Sequence, residues 1–173
     1  DFYNQRRAQC LQAKPNAAHK ALAQLEKKFK VSIITQNIDN LHERAGSTNV
    51  LHLHGEIMKS RSTIDPNLVY NIEGAHLNLN DKCEKGSQLR PHIVWFGEAV
   101  PMMESACRVA SKADIFLVIG SSLVVYPAAS LLEYAPMACT KFIIDPNIPN
   151  VEHIHNMTPI QATAVNGMKT LLK

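Results

Sequence analysis

Three polar side chains, Gln36, Asn37 and Asp39, follow directly on a short, largely apolar run at residues 31–34. Such a run predicts a buried strand, and ligands bind at the carboxyl ends of the strands in parallel α/β sheets. His54 follows a second short apolar segment and is predicted to return to the same edge, where an imidazole can give or take a proton near neutral pH. The spacing therefore predicts a ligand site with a proton-transfer group beside it.

Two further predicted strand ends carry polar groups. Gly120, Ser121 and Ser122 follow one apolar run, and Asp145 ends another. Backbone N–H groups and hydroxyls after a glycine can approach a phosphate, and a carboxylate can accept hydrogen bonds from ribose hydroxyls. Together these residues indicate a nucleotide site, although a Gly-Ser-Ser turn by itself is more often a plain strand-to-helix connection. Neither GxGxxG nor a Walker loop occurs in the sequence.

The composition narrows the class of protein. The chain has 173 residues, 46% hydrophobic and 19% charged, which predicts one globular domain or one domain with a small insert. A net charge of +3 is too small to indicate nucleic acid, and no apolar run approaches a membrane span, so neither partner is expected. The four cysteines contain no CxxC pair, which argues against a metal knuckle and a disulfide framework. We expect a monomer in a reducing cytoplasm.

Helical and extended patterns alternate along the chain. Helices are predicted at residues 1–13, 16–30, 40–45, 101–112, 128–135 and 162–173, and strands at 31–35, 50–53, 90–98 (with a loop), 113–119 and 141–144. Asn16 can cap the second helix, and Gly46 can stop the third. This alternation predicts an α/β fold built on a doubly wound parallel sheet.

A less hydrophobic stretch interrupts this alternation between residues 59 and 89. Turn signals accumulate there, for example at Asp65-Pro66-Asn67. We interpret residues 59–89 as a small polar insert module, and residues 1–58 together with 90–173 as the main domain. There is no internal repeat and no low-complexity tract.

Four motifs, in order TQNIDNLHERAG, LHLHGE, RPHIVWFGEAVP and GSSLVVYPAA, closely resemble the sirtuins, the NAD-dependent protein-lysine deacylases. The resemblance covers nearly the whole chain. It implies a Rossmann-like NAD-binding domain, NAD+ as cofactor and acylated lysine side chains of proteins as substrates. The opening DFYNQRR resembles the bacterial and mitochondrial class that prefers acidic acyl groups. Deacetylation, desuccinylation and demalonylation are therefore implied, with nicotinamide, 2′-O-acyl-ADP-ribose and free lysine as products.

The resemblance implies that His54 is the general base that takes a proton from a ribose hydroxyl of NAD. The alternative is a core histidine on a strand. His52, two residues earlier, would lie on the same face of a regular strand, and the His-Gly pairing favours His54 over it.

Cofactor binding is implied for a group of residues at the predicted strand ends: Gln36, Asn37, Ile38, Asp39, Gly120, Ser121, Ser122, Asp145 and Ala162. Asn37 and Asp39 would hold the nicotinamide carboxamide and a nearby water, and Gln36 the ribose. Asp39 could equally cap the helix that follows it, or do both. Asp145 stands where the family commonly has Asn, so it keeps an acceptor for ribose hydroxyls and loses the amide donor.

The segment Val94, Trp95, Phe96 and Gly97 resembles the one that pairs with the substrate peptide as an added strand. Its backbone would supply most of the affinity for the peptide. Trp95 and Phe96 would flank the tunnel that takes the lysine side chain, and the alternative is that both rings belong to the core.

Tyr3 and Arg6 are three residues apart and so share one face of the first predicted helix. In the resembling class such a pair grips the distal carboxylate of succinyl- or malonyl-lysine, for which a phenol beside a guanidinium is suited. Arg7 is the competing arginine, and the Tyr-x-x-Arg spacing favours Arg6. A solvated helix face is the alternative.

The predicted insert module departs from the family pattern. Its relatives usually hold zinc there with two CxxC pairs, whereas Ser62 stands where the first cysteine is expected. Cys83 is the only cysteine between His54 and Arg90, and together with His76 it does not make the four ligands of a tetrahedral site. We expect no zinc, and a module held by packing alone.

The front of the family pattern is also missing from these 173 residues: the Gly-Ala-Gly-x-Ser turn, the first strand and the flexible cofactor loop. Asp1 is no initiator methionine, and we expect the natural N-terminus to lie upstream. Without that central strand a sheet would expose an apolar edge. These residues alone are expected to bind NAD poorly and to turn over substrate slowly, if at all. An acyl-lysine peptide-binding fragment and a mono-ADP-ribosyltransferase on the same scaffold are the alternatives.

Overall fold

The computed structural model describes residues 1–121, 123, 126 and 128–173. The helices are α1 (Phe2–Gln12), α2 (Ala17–Leu25), α3 (Leu41–Ala45), α4 (Met103–Ala110), α5 (Leu131–Tyr134) and α6 (Ala164–Leu171), with a 3-10 turn at Ala128–Ser130. The strands are β1 (Ile33–Thr35), β2 (Val50–His52), β3 (Gly55–Ser62), β4 (Val69–Asn71), β5 (Leu89–Ile93), β6 (Ile115–Ile119), β7 (Thr140–Asp145) and β8 (Met157–Gln161). No helix within these described ranges is long and apolar enough to cross a bilayer.

Local sequence signals set the ends of the early helices. The Asn16 side chain accepts hydrogen bonds from the backbone amides of Ala18 and His19, and the His19 ring accepts from the Asn16 amide, so a full capping box starts α2. Gly46 ends α3 in the left-handed region at φ 104°, where a side chain would be strained. Both predicted helix boundaries are confirmed.

The parallel α/β character is confirmed, but the parallel strands form two sheets. β1 pairs with β2, and β6, β7 and β8 pair in that order. Buried Leu53, Ala106 and Ala110 join the two sheets through α4, with Ile34 of β1 and Phe116 of β6 packed against them.

Strand β8 was not predicted from the sequence. It pairs in parallel with β7, and Pro159 lies opposite Ile143. Proline cannot donate to a ladder and is tolerated on an edge strand, which is the position that β8 holds. Helix α6 packs against β7 and approaches it closely at Gly167, where an added Cβ would lie 2.1 Å from Ile144 Cγ2.

A third sheet is antiparallel and contains β4, β3 and β5 in that order. It includes most of the predicted insert module, but β3 starts at Gly55 and β5 ends at Ile93, beyond the predicted limits at residues 59 and 89. The division into two domains stays a prediction.

Gly55 is the point at which β3 meets β5. Its φ is 82°, and an added Cβ would lie 2.1 Å from the His92 carbonyl oxygen and 2.9 Å from its carbon. The backbone atoms of β5 cannot yield without breaking the ladder, so only glycine fits directly after His54.

We predict that Gly55→Ala lowers the free energy of unfolding by roughly 3 kcal/mol or more, because positive φ and steric overlap act together. Gly86→Ala is the matched control, since Gly86 has φ 74° and no atom of the described residues lies within 4 Å of an added Cβ. It should cost about 1 kcal/mol, from the backbone conformation alone. Urea unfolding of the three proteins measures the difference, and equal losses would contradict the assigned overlap.

Candidate active site

The two histidines at the end of β2 have different surroundings. His52 is buried, with Nε2 2.7 Å from Glu43 Oε1 and Nδ1 3.3 Å from the Asn37 carbonyl oxygen. His54 is half-buried, and its Nδ1 lies 3.1 Å from the Gln36 carbonyl oxygen. Its Nε2 has no hydrogen-bond partner among the residues that the structure describes. Both nitrogens of the His52 ring thus contact protein atoms, whereas one nitrogen of His54 stays available.

The carbonyl beside His54 fixes the chemistry of that available nitrogen. A carbonyl oxygen only accepts, so Nδ1 carries the hydrogen and donates to Gln36. In the neutral ring the lone pair then lies on Nε2, which can take a proton. The resulting imidazolium would keep its hydrogen bond to the same carbonyl. This arrangement suits a general base.

Backbone hydrogen bonds hold the turn that carries His54. The Leu53 amide donates to the Thr35 carbonyl over 2.9 Å, and the Val94 amide donates to the His54 carbonyl over 2.9 Å. The turn is therefore tied to the end of β1 on one side and to the segment after β5 on the other.

The residues after β1 form a folded segment in which only some of the polar groups make hydrogen bonds within the protein. The Asn37 amide donates to Thr35 Oγ1, and the Ile57 amide donates to the Ile38 carbonyl. Asp39 Oδ1 accepts from the Leu41 amide at 3.0 Å, so Asp39 does cap the start of α3. The Asn37 side chain is exposed and makes no hydrogen bond with the described part of the chain. The Asn37 carboxamide and the second carboxylate oxygen of Asp39 thus make no hydrogen bond with the described residues.

A cavity of about 460 Å³ lies between α1 and this segment, and its lining includes Tyr3, Arg6, Ile38 and Asp39. Arg6 is exposed, and its Nη1 donates to Gln9 Oε1 at 3.2 Å. The structure thus brings the predicted carboxylate clamp and part of the predicted cofactor segment to one cavity.

Arg7, the competing arginine, is fully buried on the other side of α1. Its Nε donates to the Ile57 carbonyl at 2.7 Å, and its Nη1 donates to the Ala75 carbonyl and to Asn4 Oδ1, both at 2.9 Å. Burial lowers the pKa of this guanidinium from its ordinary value. Arg7 therefore joins α1 to β3 and the insert, and Arg6 is the arginine that a ligand can reach.

Trp95 and Phe96 are not core residues, because Trp95 is 41% exposed and Phe96 is fully exposed. A second cavity of about 450 Å³ is lined by Tyr3, Val94, Trp95 and Phe96. Gly97 follows at φ 86° in open space. The predicted peptide segment therefore lies on the surface, and Tyr3 belongs to both cavities.

The remaining predicted cofactor residues gather at the ends of β6, β7 and β8. The Gly120 amide donates to the Ile144 carbonyl, and the Ala162 amide donates to the Asp145 carbonyl at 3.2 Å. Ser121 Oγ accepts from the Leu123 amide, Asp145 Oδ1 accepts from the Asn147 amide, and Ser122 lies outside the described residues. Within the described ranges, no hydrogen bond connects this group to His54.

Comparison with known proteins identifies the family. The sequence profile of the Sir2 family matches residues 1–127. The chain belongs to the Sir2 family. It is 52% identical over 172 residues to an NAD-dependent protein deacylase of Helicobacter pylori, which spans 99% of this chain and 75% of that protein. A Bacteroides thetaiotaomicron protein of the same description is 48% identical over 176 residues, with the same coverage.

Solved sirtuin structures share the fold. A Sir2 homologue in complex with NAD superposes with a TM-score of 0.88 at 38% identity, covering 99% of this chain and 68% of its own. Sir2Tm bound to a propionylated peptide gives a TM-score of 0.81 at 34% identity, covering 99% and 76%. The Rossmann-like α/β fold expected from the resemblance is confirmed.

The zinc site of other sirtuins does not fit the residues of this one. The Cys83 thiol donates to Ser62 Oγ at 3.4 Å, and Lys85 pairs with Asp65 at 2.7 Å. In the described ranges no three His, Cys, Asp or Glu side chains come together as metal ligands. The absence of zinc stays a prediction. The expectation of packing alone is corrected, because an ion pair and hydrogen bonds also hold the module.

Sequence reasoning assigned no role to three charged residues beside the peptide segment. Arg61, Arg90 and Glu98 form one ion-pair network under Trp95. Arg90 and Glu98 belong to the recognised motif, but the contact between them depends on a loop geometry that spacing does not reveal.

We predict that Arg7→Met lowers the free energy of unfolding by roughly 2–4 kcal/mol, because two buried carbonyls lose a charged donor. Arg6→Met, one residue earlier on the exposed side of α1, should change it by less than about 0.5 kcal/mol. Urea unfolding compares the two. A larger loss for Arg6→Met would show that the arginines have been assigned the wrong way round.

Proposed function

We propose that this sirtuin is an NAD-dependent protein-lysine deacylase. The observation that carries the proposal is His54, with Nδ1 held by the Gln36 carbonyl and Nε2 available, in a turn bonded to Val94. The relatives named NAD-dependent protein deacylase, at about 50% identity over the chain, support the same activity.

The residues present fit NAD+ at the nicotinamide side. The exposed Asn37 carboxamide can both donate and accept, as recognition of another carboxamide requires. Asp39 uses Oδ1 for its cap, which leaves Oδ2 for a ligand or a water. Gly120, Ser121 and Asp145 would serve the phosphate and ribose groups. When bound, NAD+ supplies an electrophilic ribose carbon and nicotinamide as the leaving group.

Nε2 of His54 would take a proton from a ribose hydroxyl of NAD+. The Gln36 carbonyl would stabilise the imidazolium, because it accepts from Nδ1 in both protonation states. Val94 to Gly97 would bind the peptide backbone as an added strand. The exposed rings of Trp95 and Phe96 can flank an aliphatic lysine side chain, and the related complex with a propionylated peptide supports this substrate class.

We further propose that the acyl groups include succinyl and malonyl as well as acetyl. Tyr3 and Arg6 line one cavity, and the contact of Arg6 with Gln9 is a single exposed hydrogen bond that a carboxylate can displace. Arg7 is engaged by three acceptors and cannot take this role.

His54→Gln should lower the rate of NAD-dependent deacylation by roughly 10²–10⁴-fold, because the general base is gone. The assay is a single turnover of an acetyl-lysine peptide at excess protein and saturating NAD+, followed by mass spectrometry of the peptide. His52→Gln is the control and should lose less. If His54→Gln keeps its rate and His52→Gln does not, the base is His52. Binding of the peptide with no NAD-dependent turnover would instead support a binding module.

Arg6→Met should cut desuccinylation by about 10- to 100-fold, the value of a charged hydrogen bond, while deacetylation stays within about threefold. Both rates are measured on peptides of identical sequence that differ only in the acyl group. An equal loss of both activities would show that Arg6 does not bind the acyl carboxylate.

A further inference from the structure

Glu98 collects charged and polar contacts from three residues at the end of the peptide segment. Arg90 binds it through both terminal nitrogens, with Nη1 2.6 Å from Oε1 and Nη2 3.2 Å from Oε2. Arg61 Nη2 and the Trp95 amide reach the same Oε2 at 3.3 and 2.9 Å. Hydrogen bonds from Arg90 and from the Trp95 amide lower the pKa of Glu98 to about 2, so the carboxylate is ionised throughout the neutral range.

The two arginines lie on neighbouring strands. Arg61 on β3 and Arg90 on β5 are paired residues of the antiparallel ladder. Like charges directly opposite each other destabilise a sheet, and the Glu98 carboxylate between them offsets that repulsion. The side chains are 15% and 18% exposed, so solvent screens them little. Glu98 is thereby tied to both β3 and β5.

Arg90 also holds the ring of Trp95. Its guanidinium carbon lies 3.5 Å from the centre of the indole, and its Nη2 donates to the Ile93 carbonyl at 3.1 Å. The bidentate contact with Glu98 orients the guanidinium plane, which an ammonium could not reproduce. An indole that is 41% exposed would otherwise be free to change rotamer.

The contacts continue from Trp95 to the cavity that Tyr3 and Arg6 line. Its indole is stacked on the Tyr3 ring, with centroids 6.4 Å apart and planes 14° apart. Tyr3 lines the cavity that also contains Arg6. A fixed Trp95 therefore fixes one wall of that cavity.

We propose that Arg90 and Glu98 are positioning residues for acyl selectivity. They hold Trp95, Trp95 holds Tyr3, and Tyr3 lies where the acyl carboxylate would bind. This inference rests on the proposed function. A purely structural role for the pair would affect the stability of the loop after β5 and leave the choice between acyl groups unchanged.

The test uses Trp95 as its own probe, because it is the only tryptophan in the chain. Arg90→Lys keeps the positive charge and removes the planar, bidentate contact. It should increase acrylamide quenching of the Trp95 fluorescence. It should also lower the ratio of affinities for succinyl- over acetyl-lysine peptides by about three- to tenfold, the range of a partly buried cation–π contact.

Two further variants complete the comparison. Glu98→Gln should shift both readouts in the same direction as Arg90→Lys, and it replaces that variant if the lysine protein does not fold. Lys59→Met is the control, because it removes an ion pair with Glu56 within β3. Among the described residues, the hydrogen bonds and ring contacts of Trp95 involve Glu98, Tyr3 and Arg90 and neither member of this pair. Lys59→Met should leave quenching and the affinity ratio unchanged.

The inference is overturned if Arg90→Lys and Glu98→Gln match Lys59→Met in both quenching and affinity ratio, even when they lower stability. A failure of the proposed acyl preference gives a different result from a failure of this inference. If the unmodified protein binds succinyl and acetyl peptides equally, the acyl preference is wrong. Unchanged quenching in Arg90→Lys then overturns the positioning of Trp95 as well. Increased quenching in that case supports the positioning step alone.

Discussion

The hydrogen bond between His54 Nδ1 and the Gln36 carbonyl is the interaction on which the rest of the site depends. It joins the end of β1 to the turn after β2, and it decides which ring nitrogen of His54 is available. The His54 carbonyl in the same turn accepts a hydrogen bond from the Val94 amide. This bond fixes the position of the proposed peptide segment relative to the proposed base. Because Gly55 has no side chain, β3 can begin directly after this turn and pack closely against β5. The residues proposed to bind the cofactor, to act as base and to bind the peptide thus meet at this turn.

Helix α1 shows how adjacent residues of the same type acquire opposite roles. Successive residues on a helix point about 100° apart, so Arg6 and Arg7 face different surroundings. A buried guanidinium is costly unless its donors find acceptors. Nε and Nη1 of Arg7 meet two carbonyls and an amide oxygen, while its Nη2 is buried without a partner in the described part of the chain. Arg7 fixes α1 against β3. Arg6 and Tyr3 on the same helix are thereby held in the lining of the first cavity.

Much of the fold could be predicted from the sequence, because its signals are local. The Asn16 cap, the Gly46 stop and the alternation of strands and helices needed no tertiary information. Strand β8 could not be predicted, since Pro159 and a weakly buried pattern hide an edge strand. The pairing order β6, β7, β8 was not visible either, because pairing between strands leaves no mark on hydrophobic periodicity.

The site divides in the same way. Motifs led to His54, Asn37 and Asp39, and the family they resemble is the one that the chain belongs to. The pairing of Arg61 with Arg90 across the ladder, and the position of Glu98 between them, depend on register and loop geometry, which the sequence does not state. The choice between Arg6 and Arg7 could be argued from spacing, but the reason for it, the burial of Arg7, needed the structure.

The most direct test of this account is the tautomer of His54, measured by ¹⁵N NMR of histidine-labelled protein, with the His54→Gln spectrum assigning the signals. The account predicts a neutral ring with the hydrogen on Nδ1 and an unprotonated Nε2. A ring with the hydrogen on Nε2 would contradict it, because the Gln36 carbonyl would then have no donor and the proposed base would have no free lone pair toward the ribose.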